Sequence, residues 1–229
     1  KGAVAHRACA SKDGIGRTMI DSLYSDCLRQ GVDFFNEFFI HDLIMEDKKC
    51  LGAVGFNIAD GQFHQFSAKS TIIATGGYSQ IYQNTTTSSI CTGDGGGLIL
   101  QEGLPLQDME FTQFHPTGIL KSGFLISEAA RGEGAYLVNS QNERFMEKYD
   151  PKYKDLACRD LISRAISTEI YQGRGCGENK NGIYLQFSHL QKDIITSKLP
   201  NIIKLAQSFA QIDITKEPIL IAPSLHYTM

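Results

Sequence analysis

The sequence lacks most of the short motifs that assign a function directly. Its six cysteines include no CxxC pair, so metal-site spacing is absent, and a disulfide framework is not expected in a chain of 229 residues. The net charge of −3 gives no reason to expect nucleic acid or an anionic membrane surface as a partner. No apolar run approaches the roughly 18 residues of a membrane-spanning helix. Metal-binding, nucleic-acid-binding and membrane-spanning classes are therefore not expected.

Two standard nucleotide motifs are also missing. No GxGxxG follows a strand, and no lysine follows glycines as in a P-loop. Two glycine-rich segments are present instead. Residues 70–77 predict a short buried strand of the parallel type that runs into Gly76 and Gly77, although a tight turn is an equal alternative. Residues 92–97 place Asp94 among glycines before an apolar helical pattern, where free amides suit an anion or a ribose; a helix cap by Asp94 is the structural alternative.

Periodicity and turn signals predict the remaining elements. The apolar stripe after Asp13 predicts a helix over 13–30 that stops at Gly31. Three apolar runs separated by turn residues predict an antiparallel β-meander over 34–45, 51–58 and 62–67. Further predictions are a helix over 155–172 capped by Asp155, a strand over 183–187, and short helices near 189–195 and 201–210. The change from strands to polar, glycine-rich loops places a domain boundary near residue 108.

Polar residues between 115 and 159, together with His226, form the candidate site. Each has a structural alternative: His115 as a hydrogen-bonding residue, Ser127 and Glu128 as a helix cap, Arg131 as the i,i+3 partner of Glu128, and Arg159 on an exposed helix face. Their joint occurrence favours a site that holds a small dicarboxylate and moves a proton.

With its polar and glycine-rich segments taken together, the sequence resembles the flavoprotein subunits of the succinate dehydrogenase/fumarate reductase family, and it is more similar to the mitochondrial and α-proteobacterial type than to the fumarate reductases. The resemblance covers nearly the whole chain. The segments that carry it are 69–77, 92–95, 103–118, 128–134, 143–146, 154–164, 173–175, 213–218 and 226–227.

The resemblance implies a fold of two parts. Residues 1–108 would be the later part of an α/β FAD-binding domain that includes the antiparallel meander, and residues 109–229 an α+β capping domain that closes over flavin and substrate. Asp94 and the backbone of Ala74, Thr75 and Gly76 would contact FAD. The glycine-rich dinucleotide motif and the histidine that carries covalent FAD are not in this chain.

The resemblance also assigns the polar residues. His115, Ser127 and His226 would bind the substrate carboxylates, Arg159 would transfer the proton, and Glu128 and Arg131 would relay it. The family usually has Thr at 127 and Ser or Gly at 158, where this chain has Ser and Cys. Converting succinate to fumarate removes a hydride from one carbon and a proton from its neighbour, so a flavin must accept the hydride.

The partners implied are succinate or fumarate, complementary flavoprotein chains, an iron–sulfur subunit and, indirectly, membrane-anchor subunits, with no nucleic acid and no metal bound by this chain. The implied location is the matrix side of the mitochondrial inner membrane or, alternatively, the cytoplasmic face of a bacterial inner membrane. The missing parts suggest a fragment or one piece of a split subunit. Cuts inside an FAD domain would expose sheet edges in a soluble fragment, which favours the split subunit.

Two other functions stay open on the sequence. An L-aspartate oxidase or soluble fumarate reductase would share the capping domain and the arginine, although the match at 154–164 and 213–218 opposes both. A non-catalytic structural piece of a respiratory complex would keep only the fold, and the joint presence of the polar residues opposes that.

Overall fold

The computed structural model describes residues 15–228 and divides the chain into two compact units, one up to Ile72 and one from Ile73 onward. The two units are described separately below. The predicted boundary near residue 108, which separates an FAD-binding from a capping domain, stays a prediction.

The first unit is a helix followed by a meander, as the sequence predicts. Helix α1 (Ile15–Arg29) ends before Gly31, whose φ of 73° is easy only for glycine. The expected cap, Asp13, lies outside the described residues. Strands β1 (Phe38–Glu46), β2 (Lys49–Asn57) and β3 (Phe63–Ser67) pair antiparallel in the order β1-β2-β3. The meander prediction is confirmed.

The prediction of a buried parallel strand over 70–77 is wrong. Residues 70–77 form no strand, and Ile72 is 88% exposed. A strand exists only through hydrogen bonds to a neighbouring strand, and within the described residues this segment pairs with none. The apolar β-branched residues of this segment favour burial within a sheet, but a strand also needs a neighbouring strand to pair with.

The second unit is built around one sheet with short helices between its strands. Its main elements in chain order are α2 (Asp94–Gln101), β4 (Thr112–Ile119), α3 (Ala129–Gly132), β5 (Tyr136–Val138), α4 (Met146–Tyr149), α5 (Arg159–Glu169), β6 (Ile183–Gln186), α6 (Lys192–Lys198), α7 (Pro200–Leu205) and β7 (Ile219–Thr228). The strands form an antiparallel sheet in the order β4-β7-β6-β5.

The core lies between this sheet and helices α5 to α7. Ile183, Leu185 and Ile221 from the strands pack with Ile162 and Ile166 from α5, and all five are fully buried. Ser163 Oγ donates to Phe114 O at 3.1 Å and fixes α5 against β4. The apolar packing therefore sets the position of the first residue of α5, Arg159.

The helix predicted over 155–172 begins later, at Arg159. Asp155 does not cap it: the carboxylate is buried, and it accepts from Leu137 N at 2.8 Å and pairs with Arg144 at 3.2 Å. Gly173, directly after the predicted helix, has φ 80° and interrupts the turn that follows α5. The strand and two short helices beyond are confirmed with bounds shifted by a few residues.

Sequence patterns do not predict strands β4 and β7, because each carries a proline that normally argues against a strand. The ladder accommodates both prolines at one bulge. His115 pairs with Ser224 and Gly118 with Ala222, so two residues of β4 face Pro223 alone. A second register shift leaves His226 as the extra residue of β7 between Leu225 and Tyr227. Both histidines of the candidate site therefore stand beside bulges, which redirect side chains.

Candidate active site

His115 is a fully buried histidine on β4 with one free ring nitrogen. The backbone N–H of Thr117 donates to Nδ1 at 3.3 Å, which makes Nδ1 an acceptor and puts the ring hydrogen on Nε2. Nε2 is buried and has no hydrogen-bond partner within residues 15–228. Burial, followed by the charge on Arg159, lowers the pKa of His115 to about 3. The side chain is thus a neutral donor that waits for an acceptor.

His226 on β7 faces the same space. Its ring centroid lies 5.6 Å from that of His115, and its Nδ1 lies 2.8 Å from Thr86 Oγ1. Burial, followed by the charge on Arg159, lowers the pKa of His226 as well. Two neutral imidazoles beside an arginine can donate hydrogen bonds to an anion, while the arginine supplies the positive charge.

Arg159, the first residue of α5, reaches into this group. Its Nη1 donates to Gln113 Oε1 at 3.2 Å, and its Nε lies 3.6 Å from Glu128 Oε2. The two charged side chains are 37% and 40% exposed, and an ion pair that is so open to water adds little stability. A structural role therefore explains this pair poorly, whereas access to solvent suits a route for protons.

Arg131 is a buried cation with incomplete bonding. It is 2% exposed, and its Nη1 donates to the backbone oxygen of Asp155, while Nε and Nη2 have no partner within the described chain. Burial lowers the pKa of Arg131, and Glu128 and Asp155 oppose that shift. Because an uncompensated buried charge is costly, an anion or water bound next to Arg131 would be stabilising.

The predicted i,i+3 pair of Arg131 with Glu128 is not among the ion pairs of the described residues; Glu128 pairs with Arg159 instead. Ser127 lies two residues before helix α3, and its Oγ accepts from Ala129 N at 3.2 Å. Glu128 occupies the cap position of α3, but no side-chain bond closes the helix end, so the alternative of a helix cap by the side chains of Ser127 and Glu128 is wrong. The bond from Ala129 N uses an oxygen lone pair of Ser127 and leaves the hydroxyl hydrogen for a ligand.

A glycine-lined cavity of about 600 Å³ lies at the start of α2. Ala74, Thr75 and Gly76, the residues predicted to contact FAD, line it opposite Gly93 and Gly95. Asp94 is not in the lining: its carboxylate accepts from the Thr92 hydroxyl at 2.6 Å. The alternative of a helix cap by Asp94 is wrong, because the cap residue is Gly93 with φ 90° and no side-chain bond closes the helix end.

This cavity fits part of FAD. A Cβ on Gly93 would lie 2.8 Å from Tyr78, one on Gly95 would lie 2.0 Å from Thr75 Oγ1, and one on Gly77 would lie 1.9 Å from Thr228 Oγ1. Only glycine backbone is compatible with walls this close, and the amides at the start of α2 remain available to phosphate or ribose oxygens. Tyr78, which lines the cavity, donates its backbone N–H to Thr228 Oγ1 at 3.3 Å. Thr228 lies on β7 two residues after His226, so this strand connects the cavity with the histidines.

Several contacts of the site give no signal in the sequence. Gln113, Thr86 and Thr117 are common residue types in ordinary strands and loops, and only tertiary contacts distinguish them. In residues 15–228, no cluster of three metal-ligating side chains occurs, and no helix is long and apolar enough to cross a bilayer.

Comparison with known proteins agrees with this fold. The family model described as "FAD binding domain" matches residues 2–229, and the chain belongs to that family. It is 52% identical over 229 residues to the succinate dehydrogenase flavoprotein subunit of Rickettsia conorii, covering 100% of this chain and 38% of that protein. It is 47% identical over 230 residues to the mitochondrial succinate dehydrogenase flavoprotein subunit of Oryza sativa subsp. japonica, covering 100% of this chain and 36% of that protein.

Among solved structures, a quinol-fumarate reductase with menaquinol molecules superposes with a TM-score of 0.87 at 35% identity, covering 96% of this chain and 40% of that chain. The resemblance stated from the sequence and the FAD-binding fold are confirmed. This chain thus spans well under half the length of each of these relatives.

Proposed function

We propose that this chain forms the capping side of a flavin active site that oxidises succinate to fumarate, as part of a succinate dehydrogenase flavoprotein. One observation carries the proposal: two neutral histidines and two arginines converge beside a glycine cradle, and three of their buried N–H groups lack an acceptor within residues 15–228. A dicarboxylate dianion supplies acceptors of the right charge.

In this proposal, His115 and His226 bind substrate carboxylates through their Nε2 atoms, and Ser127 adds its hydroxyl. The neutral state of both histidines keeps them as directional donors, while the positive charge comes from the arginines. Holding both carboxylates orients the two central carbons, which converts binding energy into correct geometry.

Arg159 transfers the proton. The guanidinium accepts it during succinate oxidation only after losing its own, and Glu128, at 3.6 Å, lies where it can take that proton and pass it towards solvent. Arg131 belongs to the same relay: it lies close enough to Arg159 that the Arg159 charge, after burial itself, contributes to lowering the pKa of Arg131.

FAD, when bound, supplies the hydride acceptor that no side chain here provides. The residues that would hold FAD are Ala74, Thr75, Gly76 and those at the start of α2. Asp94 would bind FAD if its carboxylate released the Thr92 hydroxyl and accepted a hydrogen bond from the cofactor instead. The rest of the flavin site would come from segments equivalent to the remaining length of the relatives.

Both relatives are named as subunits, which supports partner chains for this one. We propose an iron–sulfur subunit that receives electrons and membrane-anchor subunits beyond it, on the matrix side of the mitochondrial inner membrane or the equivalent bacterial face. The mitochondrial name of the Oryza relative and the bacterial source of the Rickettsia relative support these two locations.

Fumarate reduction is a second candidate, because the same residues can run the reaction in reverse and a quinol-fumarate reductase shares the fold at 35% identity. Arginine is protonated at neutral pH and so acts more readily as a proton donor than as a proton acceptor. Fumarate reduction needs a proton donor, and Arg159 suits that direction well. Comparing the rates of succinate oxidation and fumarate reduction by one preparation separates the two.

Arg159→Ala in the assembled flavoprotein complex tests the proposal. Removing the proton-transfer group should lower succinate-dependent dye reduction by about 10²- to 10⁴-fold while flavin content is unchanged. Arg164→Ala is the matched control, because Arg164 is an exposed arginine on the same helix that pairs with Asp160 at 2.9 Å. Turnover that survives Arg159→Ala, or a complex that oxidises aspartate but not succinate, would contradict the proposal.

A further inference from the structure

The loop 84–86 grips β7 at the residue that precedes His226. Leu225 N donates to Asn84 O at 2.8 Å, and Thr86 N donates to Leu225 O at 2.9 Å. The loop therefore holds both backbone groups of Leu225, at the bulge where His226 leaves the ladder. Backbone bonds alone would be enough to fasten the loop.

The Thr86 hydroxyl makes an additional bond to the His226 ring. Thr86 Oγ1 lies 2.8 Å from Nδ1, whereas its other acceptor, Leu225 O, is 3.4 Å away, beyond the usual range of an O–H···O bond. Leu225 O also already receives the Thr86 N–H and the Thr85 hydroxyl at 3.1 Å. Nδ1 is therefore the acceptor at the best distance for the Thr86 hydroxyl hydrogen, and when the hydroxyl donates to it, a neutral His226 carries its own hydrogen on Nε2.

His115 has the same arrangement built differently. There the donor to Nδ1 is the backbone N–H of Thr117, which no substitution except proline removes. At His226 the tautomer depends on one side chain, and the two imidazoles lie 5.6 Å apart.

We propose that Thr86 is a positioning residue for the substrate: its hydroxyl holds His226 in the tautomer and orientation whose Nε2–H donates to a carboxylate of the dianion. This role rests on the proposed function. Without the hydroxyl, His226 can rotate or carry its hydrogen on Nδ1, and Nε2 then presents a lone pair to a carboxylate. Repulsion between that lone pair and the carboxylate would weaken binding.

The test uses variants of this chain in the assembled flavoprotein complex. Thr86→Val keeps the shape of the side chain and removes its hydroxyl, and Thr86→Ser restores the hydroxyl. Thr87→Val is the control, because it removes the hydroxyl of the next residue, which bonds Thr85 at 3.0 Å and not His226. Malonate is the probe for binding, since a single carbon between its carboxylates leaves no bond to desaturate.

We expect Thr86→Val to raise both the KM for succinate and the Kd for malonate about tenfold, with unchanged flavin content. Thr86→Ser should recover both constants to within about twofold, and Thr87→Val should match the wild type. In a His226→Ala background, Thr86→Val should change the malonate Kd no further, because it acts through the imidazole.

Three results would overturn this role alone: Thr86→Val equal to Thr87→Val, Thr86→Ser as weak as Thr86→Val, or additive effects with His226→Ala. A wild-type complex that binds no malonate and oxidises no succinate would instead overturn the proposed function, and the role of Thr86 with it.

Discussion

Gly95→Ala is predicted to damage the flavin cradle. A Cβ at this position would lie 2.0 Å from Thr75 Oγ1, 2.7 Å from Thr75 Cβ and 2.8 Å from Thr75 Cγ2. Rotating the threonine moves its Oγ1 and Cγ2 but not its Cβ. The backbone of Thr75 must therefore retreat by about 0.7 Å to bring the 2.7 Å contact to the 3.4 Å of an ordinary one.

The size of the effect follows from two opposing terms. Overpacking of this kind costs about 1–3 kcal/mol, while alanine gains up to about 1 kcal/mol over glycine in a helix. A net loss of about 1–2 kcal/mol is expected, and because the retreat of Thr75 deforms the cavity wall, it should appear in FAD binding. That loss corresponds to an association constant for FAD that is roughly 5- to 30-fold lower.

Three measurements test this prediction: the flavin content of the purified complex, the affinity for FAD titrated into flavin-free protein, and the thermal unfolding temperature of the complex. Gly16→Ala is the control, because Gly16 lies in α1 and a Cβ there meets nothing within 4 Å. If Gly95→Ala binds FAD as tightly and unfolds at the same temperature as Gly16→Ala, the cradle argument is refuted.

Two further predictions concern buried titratable groups. The bond from Arg174, with those from Asn139 and Tyr149, lowers the pKa of Glu169 to about 2, so its carboxylate stabilises the fold above about pH 4.5 and loses this contribution as pH falls towards 2. Glu169→Gln should lower the free energy of unfolding by about 3 kcal/mol at pH 7 and less at pH 3; an equal difference at both pH values in thermal unfolding would contradict it. The folded-state pKa of His115, about 3, lies below its unfolded value, so the wild type should lose up to about 1.4 kcal/mol per pH unit as pH falls below about 6.5. His115→Gln should lack this part of the slope in the same experiment, and parallel slopes would show that His115 is not a buried neutral imidazole.

Sequence patterns predict elements well where the local signal and the tertiary neighbours agree. The meander and α1 follow from periodicity and turn residues that act within a few positions. The strand prediction over 70–77 is wrong because its apolar pattern has no pairing neighbour in the described chain. Strands β4 and β7 escape prediction for the opposite reason: Pro116 and Pro223 oppose strand formation locally, and the shared bulge that admits them exists only once the strands pair.

By itself, the sequence determined which chemical groups the site would contain and where glycines would leave the backbone without side chains. His115, Arg159 and the glycines around Asp94 could be named because the residue type alone fixes which groups a side chain carries. Only the tertiary structure decided what those groups can do. Packing of α5 on β4 sets Arg159 beside Glu128, and burial removes water from Arg131. Thr86, on a loop far from β7 in the chain, meets His226 with its Oγ1 2.8 Å from the ring Nδ1. These properties depend on distances between residues far apart in the chain and on exclusion of solvent, which no local pattern encodes.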